Sequence, residues 1–575
     1  MTHGLVDHDL LDARVQGDAR RGARRSNRLG IGRRTWLRRT AWLSWLLALV
    51  SLPALPVAAA CGKVAPVPGM AAPYSVGWGI DHRNTRYQPR STITAANAGT
   101  LELAWVYGLA SSTPRSWPLI TEDTIFVGDA GRGIVALERS TGCERWVHPH
   151  EGSIASAILP GAIGNRKILI YNDRITGMYA IDARDGSPIW HATVDDEPVP
   201  WYSATPLVTK DAVYLPVASL EVGLAANPLY GCCTTSGGLA AFDIRTGRKL
   251  WYLPTIEAVA QVTGSHWFFV QKHGPSGAAV WGAPSYDAQR NRIYFGTGQN
   301  FSHPTTDTSD ALFAVDAATG KVVWKRQFTA NDAYTAACNI KALNHPNCPE
   351  PSGPDVDFGA PTMLLRTRAG RELLIGGQKS ADVHAVDPAT GARVWTRNLG
   401  RGGIIGGVHW GMAANEAMGT LFVPISDKEV VGFPAPGTPA PGLYALDLAT
   451  GAVRWRNSRA SRCPGEECVY GLSAGIVATN DVVVAGSIDG FLEVFHAGTG
   501  RRLWTHDAWR SYPSVNGVET VGGAFDAHGP MVADDLLVVT AGYGYVGRQR
   551  AGNAMLVFRL KPQATSRPQG MGAAR

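Results

Sequence analysis

The stretch Leu312–Trp324, LFAVDAATGKVVW, contains the pattern that organises most of this chain. Alternating apolar residues lead to Asp316, a Thr319-Gly320 turn follows, and a second short run ends in Trp324. The alternation predicts a half-buried strand, and Asp-x-x-Thr-Gly predicts a hairpin turn in which Gly takes a positive φ. Variants of the same unit end at six further tryptophans: Trp146, Trp190, Trp251, Trp395, Trp455 and Trp504.

The spacing of these tryptophans is typical of β-propeller blades, each of which is built from four short antiparallel strands. LELAWVYG, around Trp105, precedes the first unit, and NAMLVFRL (Asn553–Leu560) follows the last. Each predicts a single strand, and together they complete an eighth blade that leaves no open sheet edge. We therefore predict an all-β, eight-bladed propeller with tryptophan-docking repeats over residues 72–562, followed by a disordered tail over 563–575.

The first 60 residues predict a signal that exports the protein to the periplasm, with 61–71 as a linker. Paired arginines precede an apolar run from Ala41 to Val57, and three alanines ending at Ala60 allow cleavage. A permanent membrane anchor is the alternative, but the run is short and contains Pro53 and Pro56. The paired arginines also allow twin-arginine export.

Charge gives no reason to expect a nucleic-acid partner. The formal net charge is +7, but residues 1–40 contain ten arginines and four acidic residues, so the rest of the chain is nearly neutral.

Eight cysteines are consistent with an oxidising compartment. Cys338 and Cys348, and likewise Cys463 and Cys468, are spaced to close local loops, whereas Cys143 has no evident partner. Cys61 follows Ala60 directly, which raises the alternative of a lipid anchor at Cys61. The sequence contains neither a C-x-x-C-H haem motif nor a His/Cys cluster typical of zinc.

Long insertions between the blade strands carry a more specific signal than the repeat. These stretches are Ala218–Asp243, Val280–Asp316, Phe358–Asp387, Gly400–Ala414, GGAFDAHGP (Gly522–Pro530) and AGYGYVGRQRAGN (Ala541–Asn553). They resemble the polyvinyl-alcohol dehydrogenase branch of the quinoprotein dehydrogenases, which use pyrroloquinoline quinone (PQQ).

The resemblance implies PQQ with a bound Ca²⁺, the quinone lying on the propeller axis against a tryptophan. Trp281, in W-G-x-x-x-Y-D, matches that tryptophan, and an aromatic ring suits a planar quinone. By the resemblance, Glu221 and Gln299 stand at the positions of two calcium ligands of the family, and both offer the hard oxygen donors that Ca²⁺ prefers. Gln299 stands where the family has asparagine, and the adjacent Asn300 is an alternative only if the loop shifts.

The catalytic aspartate is predicted to be Asp310, as calcium ligand and general base, with Asp307 as the second choice. Lys379, in G-Q-K-S, matches the cation that contacts the quinone oxygens. His409 and Trp410 match an Asn-Trp pair that lines the cofactor, so His409 is a departure from the family.

Cys232 and Cys233 match the vicinal disulfide that covers the quinone in the alcohol dehydrogenases. In this chain the pair follows the Glu221 loop, as in the polyvinyl-alcohol branch. The segment Gly152–Gly161, near where the alcohol enzymes carry their pair and an arginine, has neither.

The implied function is oxidation of a secondary or polymeric alcohol, with electrons passed to a separate cytochrome c. The main alternative is an exported, non-catalytic propeller that binds or assembles other proteins, because tryptophan-docked blades also occur in scaffolds. A metal-independent lyase or hydrolase is a second alternative, but no nucleophile and base are evident in the sequence.

Overall fold

The computed structural model describes residues 61, 66–67, 70, 72–267, 269–340, 345–428, 436–460, 462, 469–544 and 549–561. The predicted signal (1–60), most of the linker, the tail (563–575) and the Cys463–Cys468 pair lie outside these residues. Among the described helical segments, none has the length and apolar character of a membrane-spanning helix.

Eight antiparallel sheets of consecutive strands form the blades in the described residues. Blades 1 to 4 have these strands: blade 1, Leu119–Ile120, Thr124–Asp129, Gly133–Glu138, Glu144–Pro149; blade 2, Leu159–Ile163, Arg166–Asp173, Gly177–Asp182, Pro188–Ala192; blade 3, Leu207–Val208, Ala212–Ser219, Gly238–Asp243, Lys249–Pro254, with Pro200–Trp201 added beside its second strand; blade 4, Ser285–Asp287, Arg292–Gly296, Ala311–Asp316, Val322–Gln327.

Blades 5 to 7 repeat this order, and blade 8 takes its last strand from the start of the chain. Their strands are: blade 5, Met363–Arg366, Glu372–Gly377, Asp382–Val386, Arg393–Asn398; blade 6, Ala413–Asn415, Thr420–Ile425, Gly442–Asp447, Val453–Ser458; blade 7, Val477–Ala478, Val482–Gly486, Phe491–His496, Arg502–Asp507; blade 8, Met531–Ala533, Leu536–Ala541, Ala554–Leu560, Leu101–Gly108. The pairing of the last two strands, with Trp105 opposite Val557, confirms the predicted closure by both chain ends.

Short elements complete the described fold. They are the helical turns Ala98–Thr100, Glu221–Leu224 and Ala336–Asn339, and the two-stranded pairs Gln261–His266 with Val270–Gly274, Ser276–Gly277 with Asn300–Ser302, and Ser511–Tyr512 with Thr520–Val521.

The recurring tryptophan and turn glycine of the repeat join each blade to the next. The Trp324 indole lies against Gly391, in the turn of blade 5, and donates to the Pro388 carbonyl at 3.0 Å. Gly391 has φ +70°, and a Cβ there would lie 2.7 Å from the Trp324 ring, so glycine is required twice over. Trp105 of blade 8 packs in the same way on Gly142 of blade 1, which closes the ring.

The segment before the first strand crosses the inner strands of successive blades. His82, Arg83, Thr85 and Arg86 accept backbone hydrogen bonds from the first strands of blades 4, 5, 6 and 7, in that order. The Arg86 side chain is fully buried, donates to the carbonyls of Ile476, His528 and Pro530, and has its pKa lowered to about 9 by desolvation. These residues are therefore part of the propeller.

Two disulfides bear on the cysteine predictions. Cys338 and Cys348 are bonded, as their spacing predicts. Cys61 is bonded to Cys143, with a 2.04 Å S–S bond across 82 residues. The lipid anchor predicted as an alternative at Cys61 is therefore wrong, because a sulfur in a disulfide cannot also carry the thioether of a lipid. The same bond gives Cys143 the partner that was not evident from the sequence.

Candidate active site

All predicted site residues lie in connections at one end of the propeller. Because strands alternate in direction, the connection between the second and third strands of a blade emerges at the same end as the connection to the next blade. The former connections carry Glu221, Cys232, Cys233, Gln299, Asp310 and Lys379, and the latter carry Trp281, His409 and Trp410.

Lys379 is the centre of a buried ionic cluster. Its Nζ lies 2.8 Å from Asp355 Oδ1 and 3.3 Å from Asp357 Oδ2. Asp357 also accepts the Trp281 indole N–H at 3.0 Å and the Gln299 backbone N–H at 2.9 Å. Asp357, which the sequence analysis did not predict, therefore contacts Lys379, Trp281 and Gln299, which it did predict.

Asp310 is distinguished from Asp307 by its surroundings. Asp310 has no exposed surface, a positive φ of 47°, and two carboxylate oxygens without a hydrogen-bond partner in the described structure. Desolvation, followed by the charges of Asp332, Asp357 and Asp355, raises its pKa well above the usual value, and Lys379 opposes the shift. Asp307 is exposed and pairs with Lys325 at 2.6 Å, so its environment is that of an ordinary surface acid.

The remaining acids leave this region with an excess of negative charge. Asp332 accepts the backbone N–H groups of Asp355 and Val356, and burial raises its pKa. Burial raises the pKa of Asp355 to about 8, against the opposing effect of Lys379. Four buried carboxyl groups around one ammonium suit an added cation, and the unpartnered oxygens of Asp310 are the ones available to it. No group of three or more His, Cys, Asp or Glu side chains forms a ready metal site within the described ranges.

Glu221 has a different environment. It is fully buried, and its carboxylate accepts the backbone N–H groups of Thr234 and Thr235, both at 2.8 Å, the Thr235 hydroxyl at 2.7 Å and the Tyr230 hydroxyl at 2.9 Å. These bonds hold the loop that carries Cys232 and Cys233. The oxygens of Glu221 are thus already occupied by donors, which does not fit a calcium ligand.

Cys232 and Cys233 form a disulfide in the same apolar cluster as Trp281. The Cys232 carbonyl accepts the His273 backbone N–H at 2.8 Å, which ties the pair to the Val270–Gly274 strand. The structure therefore brings the pair close to Trp281. Gln299 is buried, and its amide donates to the Tyr334 carbonyl at 3.2 Å.

Trp281, His409 and Trp410 form one aromatic wall. The ring of Trp281 lies 5.8 Å from that of His409 and 5.7 Å from that of Trp410, both edge to face, and Lys379 Nζ lies 5.8 Å from the Trp281 centroid. Burial, with the charges of Lys379, Lys428 and Arg115, lowers the pKa of His409 well below its usual value.

Arg115 is a second cation of this site that the sequence reasoning missed. Its guanidinium lies 4.9 Å from the Trp410 centroid and 5.4 Å from the Tyr543 centroid. Its Nε and Nη1 are buried without a hydrogen-bond partner in the described structure. Such a group is suited to bind a carboxylate. Arg115 lies in the connection that enters blade 1, and that position was the only signal available in the sequence.

A small cavity adjoins the wall. It is lined by Trp281, Trp410, His528 and Trp78 of the N-terminal segment, together with small residues such as Gly282 and Gly359. The lining contains neither Lys379 nor Arg115, so the charged side of the wall lies outside it.

Comparison with known proteins defines the class and then the family. Residues 76–336 match the family described as glucose/ethanol/alcohol dehydrogenase, beta-propeller domain, and residues 379–553 match the family described as outer membrane protein assembly factor BamB. The structure of the quinohemoprotein alcohol dehydrogenase from Comamonas testosteroni has a TM-score of 0.62 at 19% identity, covering 86% of this chain and 82% of that one.

Closer relatives are similar along most of the chain. The polyvinylalcohol dehydrogenase of Sphingopyxis sp. (strain 113P3) is 32% identical over 502 residues, which cover 84% of this chain and 76% of that protein. The polyvinylalcohol dehydrogenase of Pseudomonas sp is 31% identical over 502 residues, covering 86% and 76%.

The solved structure shows the same fold, and the matched domain together with these relatives defines the class as quinoprotein dehydrogenase. Within that class the chain belongs to the polyvinyl-alcohol dehydrogenase family and is a PQQ-dependent alcohol oxidoreductase. The resemblance drawn from the insertions is confirmed, and an enzyme replaces the alternative of a non-catalytic scaffold.

Proposed function

We propose that this protein is a periplasmic quinoprotein that oxidises secondary or polymeric alcohols, with Asp310 as the general base and a separate cytochrome c as the electron acceptor. The observation that carries the proposal is the Asp310 carboxylate, buried without hydrogen-bond partners within the described structure. A carboxylate buried without partners destabilises the folded protein, and such groups are typical of sites that bind a ligand or transfer a proton.

The aromatic and cationic residues fit PQQ, a planar quinone with carboxylate groups. Trp281 and Trp410 offer flat surfaces, Lys379 a cation for the quinone oxygens, and Arg115 a guanidinium for a carboxylate. Bound PQQ would accept hydride from the alcohol carbon. Cys232–Cys233 lies in the cluster that Trp281 joins, and we assign it to the same pocket.

Only some of the predicted calcium ligands have oxygens available to bind a cation. Asp310 offers free carboxylate oxygens and Gln299 lies in the same connection, whereas the Glu221 oxygens are held by Thr234, Thr235 and Tyr230. We therefore propose a cation at Asp310 and Gln299, with Glu221 as the residue that shapes the loop.

The proton of the substrate hydroxyl would pass to an Asp310 oxygen. The ammonium of Lys379 lowers the pKa of Asp310 and so favours its ionised form, against the effect of the three other acids. Since the ionised form is the base, kcat/KM should rise with pH until this group is fully ionised.

The similar proteins named polyvinylalcohol dehydrogenases support a polymeric alcohol as substrate. Oxidation of each hydroxyl leaves two electrons on the cofactor. This sequence has no C-x-x-C-H motif, so we assign their removal to a separate cytochrome c. The apolar run before residue 61 supports export.

The test is dye-linked alcohol oxidation with PQQ and Ca²⁺, comparing wild type, Asp310→Asn and Asp307→Asn. The second variant is a matched control, because it changes an exposed acid of the same connection. We expect loss of about 10²-fold or more in kcat for Asp310→Asn and less than about 2-fold for Asp307→Asn. Equal effects of the two substitutions would refute the role of Asp310. Secondary alcohols, polyvinyl alcohol and cytochrome c are then tested as substrates and acceptor.

A further inference from the structure

A hairpin in the connection between blades 3 and 4 exposes large apolar side chains to solvent. Its strands are Gln261–His266 and Val270–Gly274, and its residues Val262, Trp267 and Phe269 are 57%, 51% and 71% exposed. In the part of the chain that the structure describes, no tryptophan or phenylalanine outside this hairpin is as exposed. Large apolar side chains grouped in this way are typical of surfaces that bind a ligand or a partner.

The local structure gives no reason for a tryptophan at the tip of this hairpin. Trp267 has φ +48°, a backbone conformation that favours glycine and disfavours bulky side chains. Its ring packs edge to face on the His266 ring, with the centroids 5.3 Å apart, and half of its surface stays in solvent. Trp267 therefore contributes little to a core, and a bulky residue at an unfavourable turn position indicates a role in binding.

The base of the hairpin is bonded to a loop of the candidate site. His273 donates its backbone N–H to the Cys232 carbonyl at 2.8 Å, and the His273 carbonyl accepts the Cys233 N–H at 3.4 Å. The connection that contains the hairpin continues to Trp281 and then enters blade 4. The exposed apolar surface is therefore continuous with the end of the propeller that carries the site residues.

The same surface extends to the loop that precedes the cysteine pair. His266 Nε2 lies 2.7 Å from the Pro228 carbonyl oxygen, and the next residue, Leu229, is 61% exposed. Val259, just before the hairpin, is 78% exposed. We define the apolar patch as Leu229, Val259, Val262, Trp267 and Phe269.

The composition of the hairpin favours an uncharged ligand. Between Val259 and Gly274 the sequence has one lysine, Lys272, and no acidic residue. Exposed amide and hydroxyl side chains lie among the apolar ones, at Gln261, Thr263, Ser265 and Gln271. Surfaces for a charged protein partner or an anionic membrane normally carry groups of charged residues. A hydroxylated carbon chain, by contrast, offers apolar carbons and hydroxyl groups in alternation, and it carries no charge.

We propose that the apolar patch binds a segment of the polymeric alcohol outside the reacting centre, with the carbon backbone against Trp267 and Phe269 and the hydroxyl groups on the neighbouring polar side chains. This inference rests on the proposed function, because it names a second contact for the same substrate. Since the hairpin is fixed to the Cys232 loop, a polymer held on it keeps its other hydroxyl groups at a high local concentration near the site. A small alcohol, which fills only the reacting centre, cannot use the patch.

The first measurement is binding, and it needs neither PQQ nor turnover. Fluorescein-labelled polyvinyl alcohol is titrated with the protein, and its anisotropy is followed for wild type, Trp267→Ser/Phe269→Ser and Leu250→Ser/Val322→Ser. The last variant is the matched control. Leu250 and Val322 are also exposed, at 42% and 41%, but they lie near the starts of the last strands of blades 3 and 4, away from the site end.

We expect Kd for the polymer to rise about 10-fold or more in Trp267→Ser/Phe269→Ser and to change less than about 2-fold in the control, because two aromatic contacts are lost only in the former. The Tm of both variants should stay within about 2 °C of wild type, since all four residues are exposed. Equal effects of the two double substitutions would overturn the proposal, as would wild-type protein that does not bind the polymer.

The second measurement is kinetic and compares the polymer with isopropanol in the dye-linked assay. For polyvinyl alcohol, Trp267→Ser/Phe269→Ser should raise KM about 10-fold and change kcat less than about 2-fold, because only binding outside the reacting centre is lost. For isopropanol, kcat/KM should stay within about 2-fold of wild type. An equal loss with both substrates would overturn the proposal, because the patch would then act through the reacting centre.

Two other occupants are tested with the same variants. Vesicles of phosphatidylglycerol and phosphatidylethanolamine are sedimented with the protein, and gel filtration reports self-association. We expect neither vesicle binding nor a change in elution between wild type and Trp267→Ser/Phe269→Ser. Vesicle binding or self-association that is lost in this variant, with Kd for the polymer unchanged, would overturn the proposal.

The outcomes separate the two proposals. Wild-type protein that binds the polymer through the apolar patch but oxidises no alcohol would mean that the proposed function has failed. Active wild type whose Kd and KM for the polymer are unchanged by Trp267→Ser/Phe269→Ser would mean that the polymer-binding role of the patch has failed.

Discussion

Replacing Asp310 by asparagine should stabilise the protein in the absence of ligands, and only at neutral to alkaline pH. The carboxyl group is buried beside Asp332, Asp355 and Asp357, and its pKa is raised. A group whose pKa is higher in the folded than in the unfolded chain favours folding fully below the unfolded value. That contribution is lost as pH rises through the folded value, because the ionised form must be held without partners.

The size of the effect follows from this linkage. Holding an ionised carboxylate in a buried site without a partner costs on the order of several kcal/mol. Relaxation of the site reduces this, so we expect Asp310→Asn to gain about 2–4 kcal/mol at pH 8 and about 0 at pH 4. A folded chain of this size has an unfolding entropy near 1 kcal/mol/K, so Tm should rise by roughly 2–4 °C at pH 8.

Scanning calorimetry of wild type, Asp310→Asn and Asp307→Asn between pH 4 and 8.5, with and without Ca²⁺, makes the test. Added Ca²⁺ at 100 times its Kd should stabilise wild type by about 2.7 kcal/mol and leave Asp310→Asn unchanged. Asp307→Asn should follow wild type, since an exposed ion pair contributes about 1 kcal/mol or less. A difference in Tm between Asp310→Asn and wild type that does not change with pH would refute the reasoning, because it would show that the carboxyl group carries no unpaired charge.

Three further predictions concern other parts of the molecule. Arg115→Met should weaken PQQ binding about 10-fold in a tryptophan-quenching titration, as one charge-assisted contact is lost; unchanged binding would place the carboxylates elsewhere. Glu221→Gln should lower Tm by about 2–3 °C through the weakened loop, with Ca²⁺ affinity unchanged; loss of Ca²⁺ binding with Tm unchanged would instead make Glu221 a ligand. Cys143→Ser should cost about 2–4 kcal/mol, measured as a fall in Tm, whereas no change would show that the bond to Cys61 adds nothing.

The propeller could be predicted from the sequence because each unit carries its own local chemistry. A turn that needs Asp and Gly, followed by a strand that ends in Trp, identifies a hairpin without any tertiary information. The reason for Trp was not visible in the same way. Trp324 docks on Gly391, a glycine of the next repeat, and this relation exists only once the ring is formed. The Cys61–Cys143 bond likewise joins positions 82 residues apart.

The site was predictable where the insertions are long and distinctive, and elsewhere it was not. Trp281, Gln299, Lys379 and Asp310 lie in such insertions, and the structure brings them to one ionic cluster. Asp357, which joins three of them, lies at the end of a long connection without a motif of its own. Asp357 enters from the connection before blade 5 and Arg115 from the connection before blade 1. Their convergence is set by ring closure, which no local pattern encodes.

The unusual backbone conformation of Asp310 depends on the rigid packing of the blades around it. A non-glycine residue at φ +47°, whose carboxylate also lacks hydrogen-bond partners in the described structure, persists only when its surroundings determine its position. Here the Asp310 backbone N–H is held by the Gly298 carbonyl, and its carbonyl by the Phe328 N–H. Both bonds lie in blade 4. Trp324 of this blade packs onto blade 5, and Trp251 of blade 3 packs onto blade 4. The repeats therefore supply the rigidity that keeps this buried carboxylate in place, as the proposed role of Asp310 as a base requires.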